Sequence, residues 1–244
     1  MSFPASAPPL SDVRRTLAVF AHPDDIDFGS AGTIASWVAE GIEVTYLLIT
    51  RGDAGGFDDT PRDELPLMRE REQRSAAAAV GVHEVYFLDG YSDGTLSPTL
   101  ALRRDITAAI RRTRPDRVLT SSPLRRWEHL TGPSHPDHLA AGEATTCAIY
   151  PDARNPFAFP ELLREGLEPW VVREVWYAGG PDPDHAVDIT DHFEQKVAAL
   201  RAHTSQTAHL DLESWLRDWL GATARSAGLP EGRLAESFTV LRTE

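Results

Sequence analysis

Thr16-Leu17-Ala18-Val19-Phe20-Ala21-His22-Pro23-Asp24-Asp25 is the stretch from which the rest of the chain is read. Its first six residues make an apolar run of the kind that forms a buried strand. Pro23 ends that strand, because it donates nothing to a sheet ladder and fixes its own φ. A turn therefore holds one imidazole and two carboxylates at the C-terminal tip of a strand. In open α/β sheets that edge is where ligands bind. Later in the chain, His135-Pro136-Asp137-His138 repeats the same chemistry. Two His/Asp clusters of this type point to one metal site.

Outward from the first cluster, Asp27 to Gly32 leads into a helix predicted over 33–40, with Ile34, Trp37 and Val38 on one face and Gly41 as its stop. Ile42 to Thr50 reads as a second buried strand. The loop after it, Arg51-Gly52-Asp53-Ala54-Gly55-Gly56, lies at the same sheet edge as Asp24. It is neither a dinucleotide fingerprint nor a P-loop with its lysine. Pro66 opens a helix to Val80, Val85 to Leu88 is a third strand, and turns follow at Asp89-Gly90 and Asp93-Gly94. Thr99 to Thr113 is an amphipathic helix, and Arg117 to Thr120 a fourth strand. This β-α-β-α-β-α-β order predicts a Rossmann-like three-layer sandwich: a mostly parallel central sheet with helices on both faces.

Beyond the fourth strand, 121–134 reads as an irregular connection. Pro136 then opens a helix through Tyr150, with His135 near its cap. The Pro- and aromatic-rich segment 152–170 reads as a packed loop at the rim of the site. Val171 to Tyr177 is a further strand, 191–203 and 210–225 are helices, and Phe238 to Leu241 is a short edge strand. No repeat or domain boundary interrupts the pattern. Residues 1–13 are expected to be a flexible tail and 14–244 a single domain.

With 244 residues the chain buries enough apolar surface to fold without a staple. A formal net charge of −13 argues against nucleic acid and anionic membranes as partners. The single cysteine, Cys147, excludes an intramolecular disulfide and a Cys-rich zinc site. No run is long enough to cross a membrane and no signal peptide precedes the first strand. A cytoplasmic protein acting on a small molecule is expected, and a homo-oligomer is compatible with the sequence.

An open catalytic zinc site takes three His/Asp/Glu ligands and keeps one position for water. His22, Asp24, Asp25, His135, Asp137 and His138 more than suffice. Two adjacent carboxylates in a tight turn rarely point at one atom, so one is a ligand and the other a general base; spacing alone leaves open which is which. Likewise, one of His135 and His138 is a ligand and the other a donor toward developing charge, with Asp137 orienting its neighbour. Zn²⁺, one per chain, is the default, and Fe²⁺ tolerates the same ligands. Other residues read more plainly. His83, His129, His185 and His209 are surface or loop histidines, and Cys147 is structural. The Trp215/Trp219 stripe is core or subunit contact, and Arg111, Arg112 and Arg114 form a solvated helix end.

The two motifs, in this order, resemble the LmbE/PIG-L family of zinc-dependent N-acetylglucosaminyl deacetylases. Supporting matches are Gly32-Thr33, Thr50 to Gly56, Arg69 with Glu72, Gly81-Val82, Asp93-Gly94, Val187 to Thr190 and Lys196 through His203 to Gln206. The resemblance implies that His22, Asp25 and His138 bind zinc, with Asp24 as general base. It further implies that His135 stabilises the oxyanion or acts as acid, that Asp137 orients it, and that Arg69 and Asp93 hold sugar hydroxyls. The implied reaction is hydrolysis of an acetamide on an N-acetylglucosamine-type sugar conjugate by zinc-activated water. Two positions depart from the pattern. Ile26 stands where many members carry Glu, and Pro133 where the mycothiol-pathway branch has Tyr. Another metal-dependent amidase, acting on a thiol conjugate, and a non-catalytic sugar-binding member are the competing readings.

Overall fold

A computed structural model of the protein describes residues 8–56 and 60–244. Strand β1 (Arg15–Phe20) pairs in parallel with β2 (Glu43–Leu48) on one side and β4 (Arg117–Ser121) on the other. With β3 (Glu84–Phe87), β5 (Glu174–Ala178), β6 (His185–Asp188) and β7 (Ala235–Arg242) they form one sheet in the order β3-β2-β1-β4-β5-β7-β6. β1 to β5 are parallel, and β7 runs antiparallel to both its neighbours.

The alternation of a strand's side chains builds the two outer layers. Ala18 and Phe20 of β1 face a core shared with α1 (Asp25–Ala39), α2 (Leu65–Ala79) and α6 (Phe193–Ala202). Leu17, Val19 and Ala21 face the opposite core, shared with α3 (Leu100–Thr113) and α4 (Pro136–Cys147). A smaller cluster joins α6 to α8 (Leu212–Ser226) through Leu212, Leu216 and Leu220, the apolar i, i+4, i+8 ridge of α8. Short helices α5 (Pro160–Arg164) and α7 (Thr204–Thr207) complete the set. The three-layer, mostly parallel architecture is the one predicted. Among the described residues no helix is long and apolar enough to cross a membrane.

Several local expectations are corrected. Helix α1 begins at Asp25, eight residues before the predicted start. Its glycines, which read as loop signals, are contact points: a Cβ on Gly32 would lie 2.7 Å from Ile189 Cδ1. Tertiary packing here overrides the low helix propensity of glycine. β6 was not expected; its four residues are all only half-buried and carry no clear alternation. β7 is eight residues long and lies between β5 and β6, so it is not an edge strand. Segment 152–170 does not rim the site. It packs on α3, where Arg111 is 1% exposed and donates to the carbonyls of Asp152, Ala153, Asn155 and Ala158. Arg111 is therefore a buried cap for that segment and not part of a solvated helix end. Of the expected tail, residues 1–7 lie outside the described residues. Leu10 is held by Glu174 and Arg117, and Val13 is buried.

Candidate active site

The chain order reverses at β1, whose partners β2 and β4 lie on opposite sides, and such a switch point opens a crevice at the C-terminal strand ends. The turn after β1, the turn after β3 and the start of α4 after β4 all converge there. Asp24 takes φ 89°, a positive value that costs a non-glycine residue on the order of 1–3 kcal/mol. Two contacts hold it in place. Its backbone N–H donates to Gln73 Oε1 at 2.9 Å, and its Oδ2 accepts from Arg69 NH2 at 3.0 Å. Arg69 reaches Asp24 by crossing over Gly52, whose carbonyl it also binds. A Cβ on Gly52 would sit 2.0 Å from the guanidinium, and its φ of 64° suits glycine.

Asp25, at the start of α1, accepts from the His22 backbone N–H at 2.8 Å. Its Oδ2 lies 3.3 Å from His22 Nδ1 and its Oδ1 2.9 Å from His138 Nε2. His22 Nδ1 and His138 Nε2 are themselves 3.3 Å apart. Ligand atoms about 2.0–2.1 Å from a tetrahedral zinc stand about 3.3–3.4 Å from one another, which is the separation of the two nitrogens, and Asp25 presents one oxygen to each of them. The charges around it fit as well. Burial opposes charge on His22, yet the carboxylates of Asp25, Asp137 and Asp93 push its pKa up to about 12. His138 is likewise raised, burial being outweighed by Asp25. Asp25 is held well below the carboxylate range despite burial, by His138 and His22. The pocket is built to receive positive charge. His22 also groups with His135 and His138, and with Asp93 and Asp137, at ligand-like spacing. In the Asp25 set both histidines face the one carboxylate, at 3.3 and 2.9 Å.

Asp137 lies elsewhere than predicted. Its carboxylate contacts His22 Nε2 at 3.1 Å and accepts from the backbone N–H of Gly94 and Leu96. No hydrogen bond joins that carboxylate to the His135 ring among the described residues. His135 instead caps α4, its Nδ1 accepting from the Asp137 backbone N–H at 3.2 Å. That bond leaves the proton of a neutral imidazole on Nε2. Burial and the neighbouring His138 and His22 depress the pKa of His135, which favours the neutral form. Asp24 is pushed up to about 6, chiefly by burial, with Arg69 working against the rise.

The structure places Arg69 behind Asp24, 4% exposed, with Pro23 O, Gly52 O and Asp24 as acceptors. Asp93 faces His22 Nε2 at 3.0 Å and accepts from the Ala54 backbone. Sequence reasoning missed a deeper support. Asp27, wholly buried, accepts from Gln73 Nε2 and pairs with His203 Nε2, both at 2.8 Å. Lys196 and Glu236, also buried, pair at 2.6 Å against α1. Of these residues only Lys196 and His203 fall in the family-like segments; nothing in the sequence marked Asp27, Gln73 or Glu236.

A cavity of 1210 Å³ opens from Asp24, Asp25 and His138 toward α8. The connection 121–134 lines it, including Arg126, Pro133 and His129, an exposed loop histidine as expected.

The family description PIG-L, GlcNAc-PI de-N-acetylase, matches residues 17–149, more than half of the chain. The diacetylchitobiose deacetylase of Thermococcus kodakarensis is 35% identical over 212 residues, spanning 85% of this chain and 75% of that protein. A 1D-myo-inositol 2-acetamido-2-deoxy-alpha-D-glucopyranoside deacetylase of Rhodococcus erythropolis is 30% identical, with 80% and 82% covered. The solved structure of N,N'-diacetylchitobiose deacetylase from Pyrococcus horikoshii, bound to its inhibitor MPG, superposes with a TM-score of 0.85 at 30% identity. That match covers 94% of this chain and 84% of the other. Sequence motifs, sheet order and site geometry agree with these matches: the chain belongs to the PIG-L/LmbE family.

Proposed function

We propose that the protein is a metal-dependent hydrolase that removes an N-acetyl group from an N-acetylglucosamine-type sugar conjugate. The observation that carries this reading is the triangle of His22 Nδ1, Asp25 and His138 Nε2, with a strained, arginine-backed Asp24 beside it. Zn²⁺ suits this nitrogen and carboxylate set, and Fe²⁺ tolerates it. A bound cation supplies Lewis acidity, making water more acidic and polarising the acyl oxygen.

The chain's own groups do the rest. Asp24 takes a proton from the attacking water, and a pKa raised by burial lets it hold that proton until the amine leaves. The C–N bond then breaks, the amine receives the proton, and acetate remains. His135, neutral, donates from Nε2 to the acyl oxygen as negative charge grows there. Asp137 acts through His22, and Arg69 through Asp24. The positioning role of Asp137 on His22 takes the place of the triad-like one that the resemblance implies, and Arg69 and Asp93 keep the sugar contacts that it implies.

The test pairs elemental metal analysis with an amine-release assay on N-acetylglucosamine conjugates. About one metal per chain and chelator-sensitive release are expected. Asp24→Ala should keep the metal and lose turnover by about 10²-fold or more, whereas His138→Ala should lose both. Asp24→Ala emptying the site would reverse the base and ligand assignments. Full metal without amine release across the panel would shift the reading to another amide or to sugar binding alone.

A further inference from the structure

Helix α8 carries two large side chains that its own packing does not require. Leu212, Leu216 and Leu220 make its buried ridge, while Trp215 and Trp219 are 48% and 40% exposed. The two indoles lie i, i+4 on one face, with ring centroids 5.2 Å apart and a 36° tilt. Phe28 meets Trp215 edge-on at 6.0 Å. All three rings line the same cavity as Asp24, Asp25 and His138. The indoles are neither core nor remote from the site.

The connection between the two ends is short. Asp25 and Phe28 are i, i+3 on α1, about 4.5 Å apart along its axis, and Trp215 lies one ring contact further on. The rings thus stand on the order of 10 Å from the acyl-binding end, a reach that suits two linked rings better than one. The cavity's 1210 Å³ also exceeds the about 300–1,000 Å³ usual for a small-molecule pocket.

Charge narrows the occupant. Among the described residues Arg126 is the one arginine or lysine that lines the cavity, and it sits on the 121–134 connection. Lys196 Nζ lies 5.8 Å from the Trp219 ring but is buried and bound to Glu236 and the carbonyls of Asp27 and Phe28. Asp184 adds negative charge to the lining, whereas the charge of Glu236 is balanced by Lys196. Among the described residues, Lys196 is the one cation within ring-contact range of the indoles, and its charge is already paired.

We propose that Phe28, Trp215 and Trp219 form a distal subsite that seats the aglycone, taking a neutral ring with an apolar face and rejecting an anionic one. The inference rests on the deacetylase reading for the identity of the occupant. A second pyranose and an aryl group share the required chemistry, since each offers an apolar face to a stacked indole.

The experiment measures kcat/KM of the metal-loaded enzyme on four substrates: N-acetylglucosamine, its phenyl β-glycoside, N,N'-diacetylchitobiose and its malyl glycoside. Both ring-bearing neutral substrates, or one of them, should exceed the monosaccharide and the malyl conjugate by about tenfold or more. The phenyl and disaccharide arms tell an aryl from a sugar occupant. In Trp215→Ala and Trp219→Ala that ratio should fall about tenfold, mainly through KM, with Trp219→Phe retaining most of it. Calorimetric titration with phenyl β-D-glucoside, which has no acetamide, reads the subsite without turnover. Binding by the wild type that both alanine variants lose would support the subsite even if no amine were released, which would count against the deacetylase reading alone. The proposal is overturned by a preference for the malyl conjugate. It is equally overturned by ratios and glucoside binding that both variants leave unchanged. If the variants change only the oligomeric state in sedimentation, the indoles belong to a contact between copies.

Discussion

Asp137 shows how the direction of one carboxylate decides what a motif residue does. It sits between two histidines of its own motif, yet its side chain turns to His22 Nε2, on the opposite side of the triangle from His22 Nδ1. A carboxylate on the far nitrogen fixes the ring's orientation and raises its basicity toward a metal. Asp137→Asn should therefore weaken zinc binding about 10- to 100-fold in a chelator competition, and turnover should recover with added zinc. Unchanged affinity with a lasting loss of turnover would assign Asp137 to His135 after all. Arg69 yields a second, independent prediction. Asp24 works as a base only when ionised, so activity falls as pH drops through its pKa, which burial raises to about 6 and Arg69 restrains. In Arg69→Gln the acidic limb of kcat/KM should move to higher pH while metal content stays the same. A limb that does not move would separate Arg69 from Asp24.

At the scale of the element, α1 is the helix that carries Asp25 and Phe28, and its backbone is gripped from outside. Lys196 Nζ donates to the carbonyls of Asp27 and Phe28, while Glu236 accepts from the N–H groups of Gly32 and Thr33. The ion pair between the two thereby ties α6 and β7 to the helix behind the site. Removing one partner strands a charge in a dry interior, at a cost of about 3–5 kcal/mol. Lys196→Met should lower unfolding stability by about that amount in denaturant titration, and Lys196→Met/Glu236→Leu should recover part of it. A single variant as stable as the wild type would show that water relieves the buried Glu236. Sequence patterning marked Lys196 through its family-like segment but gave no sign of its partner Glu236. Lys196 lies on α6 and Glu236 on β7, 40 residues apart, and a charge on either element normally faces solvent.

Across the whole molecule, legibility followed locality. β1 and β4 were readable because each is a short apolar run with its function attached at the tip, and His22-Pro23-Asp24-Asp25 and His135 to His138 carried their chemistry in adjacent positions. The support was unreadable because it is distributed. Gln73 on α2 and His203 at the end of α6 meet only at Asp27, and the indoles of α8 meet the cavity only through the tertiary packing of α6 and β7. The cores on both faces of the sheet close without any contribution from the metal triangle. A chelated protein should therefore stay folded. Yet Asp24, Asp25, Asp93 and Asp137 crowd one pocket, and a cation that binds only the folded state stabilises it by mass action. At a free zinc concentration about 100-fold above Kd this is worth about 2.7 kcal/mol. At about 2–4 °C per kcal/mol for a chain of this size, the thermal midpoint should rise by roughly 5–10 °C between chelator and zinc. Far-UV circular dichroism should show the same helix content in both. Loss of secondary structure on chelation would make the ion a structural staple, and an unmoved midpoint would mean that the triangle holds no metal.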